Sequence, residues 1–330
     1  GDQPAATTPD GPNIITRDHH GISRRDISDN ALKVLYRLKD AGYQGFLVGG
    51  GVRDILLGKQ PKDFDIATDA HPVQVHKLFR NSILIGRRFR LVHVRFGREI
   101  IEVATFRASH HASENSNQAK QAQNGMLLRD NVYGTVDDDA MRRDFTINAM
   151  AIDIARKVMH DPHYGLQDME RGMLRAVGQA YRRISEDGLR ILRAYRFLDR
   201  GQAGVWKFDS ELSEALRQNS HMLKAVTHER IWMEWLKILD GKNMAKVVEK
   251  MAHDGILDCF LPGEWGAQHL RMATLQHHFV YEFDGLTRFA IILAECFSIE
   301  VEDALIQLKL SKKERTYILD LHGRFGTLPN

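Results

Sequence analysis

The feature of this sequence that most constrains its fold is a run of three glycines after a short apolar segment. Residues 46–48 (Phe-Leu-Val) predict a strand, and Gly49–Gly51 turn the chain into a short helix predicted over 52–57. Glycines at such a turn let the backbone approach a ligand and direct its N–H groups at phosphate oxygens. The alternative interpretation is an ordinary tight turn.

Two carboxylates follow the glycine turn closely. Asp63 and Asp65 are separated by one apolar residue, and in a strand such side chains point to the same face. Like charges that lie close together repel, and a divalent cation is the usual reason for tolerating them. Alone, the pair also fits a solvated strand edge. Its position directly after the glycines favours a site for a metal-bound triphosphate.

A third acid lies in a later apolar run. Glu102 stands between Ile101 and Val103, where an unpaired buried carboxylate would be costly and a metal ion would compensate it. Metal-assisted nucleotidyl transfer needs one ion to lower the pKa of the attacking hydroxyl and another to stabilise the triphosphate. Taken alone, Glu102 fits an edge-strand residue that faces water. With Asp63 and Asp65 nearby in sequence, the metal site is favoured.

These motifs, in this order, resemble those of the class II nucleotidyltransferases. That branch of the DNA polymerase beta superfamily holds the bacterial poly(A) polymerases and the CCA-adding tRNA nucleotidyltransferases. The resemblance implies an α+β fold, with a polymerase-beta-like nucleotidyltransferase head around a mixed sheet, followed by all-helical neck and body domains. It is carried by five blocks, at residues 47–54, 61–65, 102–107, 139–149 and 186–190.

The resemblance also implies a role for each matching residue. Asp63, Asp65 and Glu102 are expected to be catalytic and to bind two Mg²⁺ ions, for which Mn²⁺ could substitute. ATP is the expected substrate. The residues expected to hold its triphosphate, or to organise that pocket and the sugar, are Gly49, Gly50, Arg53, Arg142, Arg143, Asp144 and Asn148, and those expected to select the base or reach the phosphates are Asp187, Arg190, Arg193 and Arg196.

The chemistry of the last block independently suggests base selection. Asp187, Arg190, Arg193 and Arg196 recur every three residues, which keeps them near one another along a helix. A carboxylate that accepts and a guanidinium that donates can read the pairing edge of adenine or cytosine, and they mismatch guanine and uracil. The alternative is a solvated charged face.

Different parts of the chain favour different members of this family. Segments 84–94 and 124–130 look like bacterial poly(A) polymerases, whereas 183–197 and 229–235 are more similar to tRNA nucleotidyltransferases. The expected function is template-independent addition of AMP from ATP to RNA 3′-hydroxyls, as in poly(A) polymerase. The alternatives are a CCA-adding enzyme that acts on tRNA with CTP and ATP, and, more remotely, a catalytically inactive RNA or nucleotide sensor. A divergent polymerase, a CCA enzyme with a polymerase-like head or an engineered fusion would each fit.

Composition agrees with an RNA enzyme of several domains. The 330 residues are 43% hydrophobic and 27% charged, with a net charge of only +3, so the chain can bury a sizeable core and is not a polycation. We expect a flexible N-terminal arm at 1–24, a head at 25–155, a helical neck with the base-selection motif at 156–215 and a helical body that guides RNA at 216–330. The polar segment 109–125 is expected to be a mobile loop that touches the RNA primer.

Basic side chains are concentrated in one part of the predicted head. With interleaved phenylalanines, they could contact RNA phosphates and stack on bases, or form a basic strand pair whose aromatics fill the core. The residues are Arg80, Arg87, Arg88, Arg90, Arg95 and Arg98, with Phe79, Phe89 and Phe96.

Cysteine content and hydropathy suggest a compartment. Cys259 and Cys296 are too few for a disulfide scaffold and lack metal-ligand spacing, so we expect no disulfide partner. No stretch is long and apolar enough to span a bilayer, and no signal peptide precedes the first domain. We therefore expect a soluble, cytoplasmic protein that does not contact a membrane.

Overall fold

The computed structural model describes residues 13–88, 90–108, 133–266, 270–295 and 301–325. The chain divides into two compact units, Gly1–Arg171 and Gly172–Asn330. The predicted loop at 109–125, Phe89 and Cys296 lie outside the described residues.

The first unit is built on one eight-stranded mixed sheet, in the order β1-β8-β7-β2-β3-β6-β5-β4. Strands β3 and β6 are parallel and the other neighbours are antiparallel. The strands are β1 Ile14–Thr16, β2 Gly45–Val48, β3 Phe64–Thr68, β4 Ser82–Ile85, β5 Leu91–Phe96, β6 Glu99–Thr105, β7 Ala151–Asp153 and β8 Val158–His160. The helices of this unit are α1 Arg17–His20, α2 Asp29–Asp40, α3 Gly50–Leu56, α4 Pro72–Leu78, α5 Val136–Met141 and α6 Gly165–Arg171.

Helix α2 covers one face of the sheet. The Ser28 side chain accepts a hydrogen bond from the Ala31 N–H, which caps the helix at its first turn. Val34 and Leu38 follow at helical spacing and are fully buried, each contributing about 1.5–3 kcal/mol of hydrophobic stabilisation. The apolar stripe of α2 has the helical period that burial of one face requires.

The opposite face of the sheet carries the predicted acids. Across four neighbouring strands, Val48 in β2 pairs with Asp65 in β3, Asp65 with Glu102 in β6, and Glu102 with His93 in β5. Their strand neighbours Leu47 and Ile66 point to the α2 side and are buried. The alternation of side chains therefore places the carboxylates on the face opposite α2, beside a buried cluster that includes Val48 and Ala67.

The predicted boundaries of the first unit need correction. Residues 13–24 are predicted to belong to a flexible arm, but β1 pairs with β8 and α1 follows it directly, so this part of the chain completes the sheet. The unit also extends beyond the predicted end at 155, because β8 pairs with β7 and Thr146 donates a hydrogen bond to Asp168 in α6. Residues 1–12 lie outside the described residues.

The second unit is mostly helical, as predicted. It also contains one short parallel pair of strands, β9 Met173–Leu174 and β10 Lys207–Phe208, which the prediction of an all-helical neck and body missed. Its helices are α7 Ala180–Glu186, α8 Leu189–Leu198, α9 Ser210–Asn219, α10 His228–Leu239, α11 Met244–His253, α12 Met272–Leu275, α13 Gly285–Glu295, α14 Val301–Gln307 and α15 Lys312–Phe325. The division of this unit into neck and body stays a prediction.

Large aromatic side chains fill the core of the second unit. Trp235 in α10 packs edge-on against Phe289 in α13, with ring centroids 6.0 Å apart, and both are fully buried. Tyr195 in α8 is buried too and donates a hydrogen bond to Asp254. In the part of the chain that the structure describes, no helix has both the length and the apolar character needed to cross a membrane.

Candidate active site

Strand pairing brings two of the three predicted acids together. Asp65 in β3 and Glu102 in the parallel strand β6 lie side by side in register, and Asp63 directly precedes β3. Glu102 was expected inside an apolar strand. Its side chain is instead 39% exposed, because Ile101 and Val103 point to the buried face and Glu102 to the open one.

The surroundings of Asp65 raise its pKa. Burial is the main cause that raises its pKa to about 7, and the charge of Glu102 and a hydrogen bond between the two carboxyl groups raise it further. The Arg143 charge opposes the rise and Asp63 adds to it. Near neutral pH Asp65 is therefore partly protonated, and a bound cation could replace that proton.

The donor set suits a hard divalent cation. Carboxylate oxygens are the ligands that Mg²⁺ prefers, and crowding of Asp65 and Glu102 is the electrostatic situation that such an ion relieves. His93 lies on the other side of Glu102, with 3.8 Å between its Nε2 and Glu102 Oε1. The described residues contain no group of three or more His, Cys, Asp or Glu side chains arranged to hold a metal ion, so the ligand set stays a prediction.

The glycine turn makes room for arginine side chains. Gly49 has a φ of +71°, and a Cβ at this position would lie 3.3 Å from Arg143 Nη1 and 3.9 Å from Asp65 Oδ2. Helix α3 begins at Gly50, earlier than predicted, and a Cβ there would lie 3.0 Å from Arg53 Nη2. Any side chain at Gly49 would be strained and would press on Arg143.

Arg53 is held by the residues predicted to organise the triphosphate pocket. Its Nη1 donates to Asn148 Oδ1 at 2.7 Å, while Nε and Nη2 donate to Asp54 Oδ1. The Asn148 amide in turn donates to Asp144 Oδ1, which also accepts the Phe145 N–H. Asp144 and Asn148 are buried, so this chain of hydrogen bonds fixes the orientation of the Arg53 guanidinium.

Arg142 and Arg143 share one buried acid that the sequence reasoning did not single out. Asp139 Oδ1 accepts from Arg142 Nε at 2.9 Å, and Asp139 Oδ2 accepts from Arg143 Nη2 at 3.1 Å. Burial opposes ionisation of Asp139, but the two arginines and the Arg107 N–H outweigh it and lower its pKa. Arg142 and Arg143 follow Asp139 by three and four residues at the end of α5, a spacing that brings side chains together on a helix and could have predicted these contacts.

In the second unit, Asp187 lies in the turn between α7 and α8, two residues before α8 begins at Leu189. Its two carboxylate oxygens accept from both terminal nitrogens of Arg230, at 3.2 and 2.6 Å, and its Oδ1 also accepts the Leu189 N–H. Burial raises the pKa of Asp187, but the Arg230 hydrogen bond, the Leu189 N–H and nearby charges lower it overall. Sequence reasoning missed Arg230, because its position on α10 lies far along the chain.

The predicted arginines of this motif are also paired. Arg190 Nη1 donates to Glu186 Oε2 at 2.6 Å and to the Arg183 carbonyl, and Arg183 donates to the same carboxylate. Arg196 pairs with the buried Glu234 of α10. The alternative of a solvated charged face is therefore replaced by a network in which these acids and bases are matched.

Arg193 and Arg196 both lie over the Phe197 ring, at 5.1 and 4.3 Å from its centroid. Asp187 belongs to the turn, whereas Arg190, Arg193 and Arg196 belong to α8, so the four predicted residues do not lie on one helix. The structure does bring Asp187 and Arg190 together, because the Arg190 N–H donates to the Asp187 carbonyl at 3.0 Å.

The basic cluster of the head gives a mixed result. Phe79 is buried and fills the core, whereas Arg80, Arg95 and Arg98 are exposed. Arg95 lies in β5 on the same face as Glu102, because it is separated from His93, the partner of Glu102, by one residue. A contact of this surface with RNA stays a prediction.

Comparison with known proteins bears on both units. A family model described as the poly A polymerase head domain matches residues 45–175, and one described as the probable RNA and SrmB-binding site of polymerase A matches residues 207–265. Poly(A) polymerase I of Salmonella typhimurium is 51% identical over 231 residues, which are 70% of this chain and 49% of that protein. The CCA-adding enzyme of Streptococcus uberis is 32% identical over 284 residues, 84% of this chain and 66% of that protein.

The chain thus spans about half the length of the polymerases it matches. Among solved structures, the CCA-adding enzyme of Bacillus stearothermophilus in complex with CTP superimposes with a TM-score of 0.73 at 29% identity, covering 91% of this chain and 70% of that one.

Proposed function

Since the chain belongs to the nucleotidyltransferase family that contains bacterial poly(A) polymerases and CCA-adding enzymes, we propose that it adds AMP from ATP to RNA 3′-hydroxyls, without a template, and releases pyrophosphate. The observation that carries this proposal is the pairing of Asp65 with Glu102, with a raised Asp65 pKa, beside Gly49 and Arg143. Two carboxyl groups that lie close together beside arginines suit a magnesium-bound triphosphate.

In this proposal, the acids of the first unit bind the metal ions and the glycine turn binds the phosphates. Asp63, Asp65 and Glu102 would hold two Mg²⁺ ions, or Mn²⁺ in their place, which supply activation of the primer hydroxyl and neutralisation of charge on pyrophosphate. Gly49 and Gly50 let the Arg143 and Arg53 side chains lie close to the backbone of the turn, whose N–H groups would face the phosphate oxygens. No residue of the protein is needed as a nucleophile.

Arg53 and Arg143 bind the triphosphate in this proposal, with Arg142 beside them. Preorganised donors stabilise developing charge better than flexible ones, because no reorganisation is needed during the reaction. Asn148 and Asp139 supply that order by holding Arg53 and Arg143 respectively. Asp144 acts through Asn148, which leaves the asparagine oriented for the sugar as well.

Base selection is assigned to the motif around Asp187. Among the described residues, Asp187 Oδ2 accepts one hydrogen bond, from Arg230, and so retains a lone pair for an amino group of adenine or cytosine. A carbonyl oxygen of guanine or uracil at that place would repel it. Arg190 would donate to the neighbouring ring nitrogen, and Arg193 and Arg196 supply further positive charge on the same helix.

Polyadenylation is favoured over CCA addition by similarity. Identity to poly(A) polymerase I reaches 51%, compared with 32% for a CCA-adding enzyme. The alternative has support of its own, since the CCA-adding enzyme complexed with CTP shares the fold over 91% of this chain. The RNA partner is accordingly the 3′ end of a transcript, or of a tRNA in the alternative.

Supplying each nucleotide separately distinguishes these activities. The purified chain is incubated with Mg²⁺, one labelled nucleotide and either an unstructured RNA or a tRNA lacking its terminal CCA. Long adenosine tails from ATP alone on the unstructured RNA support poly(A) polymerase. Limited addition to tRNA that requires CTP supports the CCA-adding enzyme, and no incorporation with any primer, Mg²⁺ or Mn²⁺ supports the inactive sensor.

A further inference from the structure

A second basic site lies on the first unit, away from the predicted catalytic acids. A pocket of about 350 Å³ is enclosed by the segment around α1, the residues just before α2 and the turn between β7 and β8. This volume falls within the roughly 300–1,000 Å³ of ordinary ligand sites. The residues that line it are Arg17, His20, Ile22, Ser23, Arg24, Arg25, Ile152, Ile154 and Lys157.

Its charge is one-sided. Arg17, Arg24, Arg25 and Lys157 are exposed, and none of the described residues that line the pocket is a carboxylate. Within the described part of the chain none of the four has an ion-pair partner, although Arg24 lies 5.1 Å above the Tyr36 ring. Four cations around one cavity repel one another, and an anionic ligand is the simplest partner that relieves this repulsion.

The floor of the pocket is apolar and rigid. Ile22 and Ile152 are buried, and His20 between them has both ring nitrogens engaged. Nδ1 accepts the Ile22 N–H at 2.9 Å, and Nε2 lies 3.0 Å from the Lys157 carbonyl oxygen, to which it must donate. His20 therefore ties the α1 segment to the β7–β8 turn and holds the cations around a fixed cavity.

Strand register separates this pocket from the acids. Ile152 pairs with Leu47, which points to the face opposite Asp65. Along the strands, Val48 at one end of β2 pairs with Asp65, whereas the β7–β8 turn lies beyond the other end. A nucleotide bound at the acids cannot also occupy this pocket.

We propose that this pocket is a second phosphate site, which binds the backbone of RNA away from the reacting 3′ end. An arginine guanidinium can donate two hydrogen bonds at once to the oxygens of one phosphate. The buried isoleucines of the pocket suit the apolar face of a base or ribose. The choice of RNA rests on the proposed function, whereas the preference for phosphate rests on the pocket itself. Free nucleotide or pyrophosphate is the other source of the same chemistry.

The test removes two of the cations. Arg17→Gln/Arg25→Gln leaves Arg24 on Tyr36, and the matched control Lys33→Gln/Arg37→Gln removes two exposed cations from α2. Binding of labelled oligo(A) is followed by fluorescence anisotropy without Mg²⁺ or nucleotide, so that no reaction occurs. We expect about three- to tenfold weaker binding for the first variant. The slope of log K against log salt should fall by about 1.4, at ~0.7 for each lost phosphate contact.

Two further measurements keep the result interpretable. Arg17→Lys/Arg25→Lys should restore most of the affinity, because it retains the charge, and thermal unfolding should show that all variants are folded. Calorimetry with pyrophosphate and with ATP identifies the ligand that supplies the phosphate. If Arg17→Gln/Arg25→Gln loses a binding site for either small molecule while its RNA binding is unchanged, the pocket binds a small phosphate ligand and not RNA. If the variant and the control bind RNA, pyrophosphate and ATP equally well, the second site does not exist.

The proposed function is tested separately. Should the wild-type chain extend no primer, polyadenylation fails while the anisotropy result on this pocket still stands. Should it extend primers normally and both pairs of variants bind RNA alike, only the second site fails.

Discussion

The predicted catalytic acids of the first unit lie beside each other, whereas the predicted base-selecting acid of the second unit is paired with an arginine. Beside the glycine turn, Asp65 and Glu102 crowd each other, and the Asp65 pKa rises to about 7. In the turn before α8, Asp187 is matched by Arg230 and has a lowered pKa. This difference agrees with the proposed roles: a cation with its triphosphate in the first unit, and a neutral base edge in the second, where fixed groups present hydrogen bonds without excess charge.

The largest expected effect comes from removing the negative charge of Asp65. Asp65→Asn should reduce nucleotide incorporation by at least about a thousandfold, because metal-bound charge stabilisation is a dominant part of such catalysis. It should not destabilise the fold, since the native carboxyl is already partly protonated near neutral pH. Single-turnover rates and thermal unfolding measure both effects. Asp69→Asn at the other end of β3 is the control, and near-normal activity of Asp65→Asn would refute the assignment.

A change at the Asp187–Arg230 pair should alter nucleotide selectivity more than the reaction rate. Arg230→Lys keeps the charge but loses the bidentate hydrogen bonds that hold Asp187. The preference for ATP over GTP and UTP should therefore fall about ten- to hundredfold. Competition between nucleotides in one reaction measures the ratio. Lys237→Gln alters an exposed charge on the same helix and should leave it unchanged. A variant that is slower with every nucleotide, but equally selective, would show that Arg230 has only a structural role.

A smaller effect is expected where the first unit does pair its charges. Asp139→Asn weakens the hold on Arg142 and Arg143, so the KM for ATP should rise about tenfold while kcat changes less, as one charge-assisted contact predicts. Asp138→Asn on the same helix is the control, because its side chain binds the Thr135 N–H and no arginine. A fall in kcat with unchanged KM would indicate that Asp139 does not order the triphosphate site.

The smallest effect concerns stability and pH. The folded-state pKa of Asp65, about 7, lies above its value in an unfolded chain, so its contribution to stability is complete below about pH 4 and is lost as pH rises through about 7. Mg²⁺ should therefore raise the Tm more at pH 8 than at pH 5.5, by a few degrees. In Asp65→Asn this difference between the two pH values should shrink. An equal Mg²⁺ effect in wild type and variant would contradict the predicted ion site.

Local sequence patterns predicted the elements well. The apolar period of α2, the glycine turn and the alternation around Glu102 each depend on neighbours a few residues apart, so the order of residues alone reveals them. Boundaries were harder, since residues 13–24 contain short apolar segments that gain order only by pairing with β8, more than a hundred residues later in the chain.

The partners of the candidate site residues could not be derived in this way. Arg53 is held by Asn148, 95 positions away, and Asp187 is held by Arg230, 43 positions away. Composition gives each of these side chains many candidate partners of suitable charge. Only the packing of the elements decides which one lies within hydrogen-bond reach.

The amino-acid sequence by itself determined which functional groups are present: glycines at a strand-to-helix turn, acids in and beside the following strands, and arginines that could bind phosphate. Tertiary structure alone decided how the charges are distributed, with Asp65 crowded by Glu102 and Asp187 satisfied by Arg230. The physical reason is that electrostatic energy depends on distance and burial, which the linear order of residues does not specify.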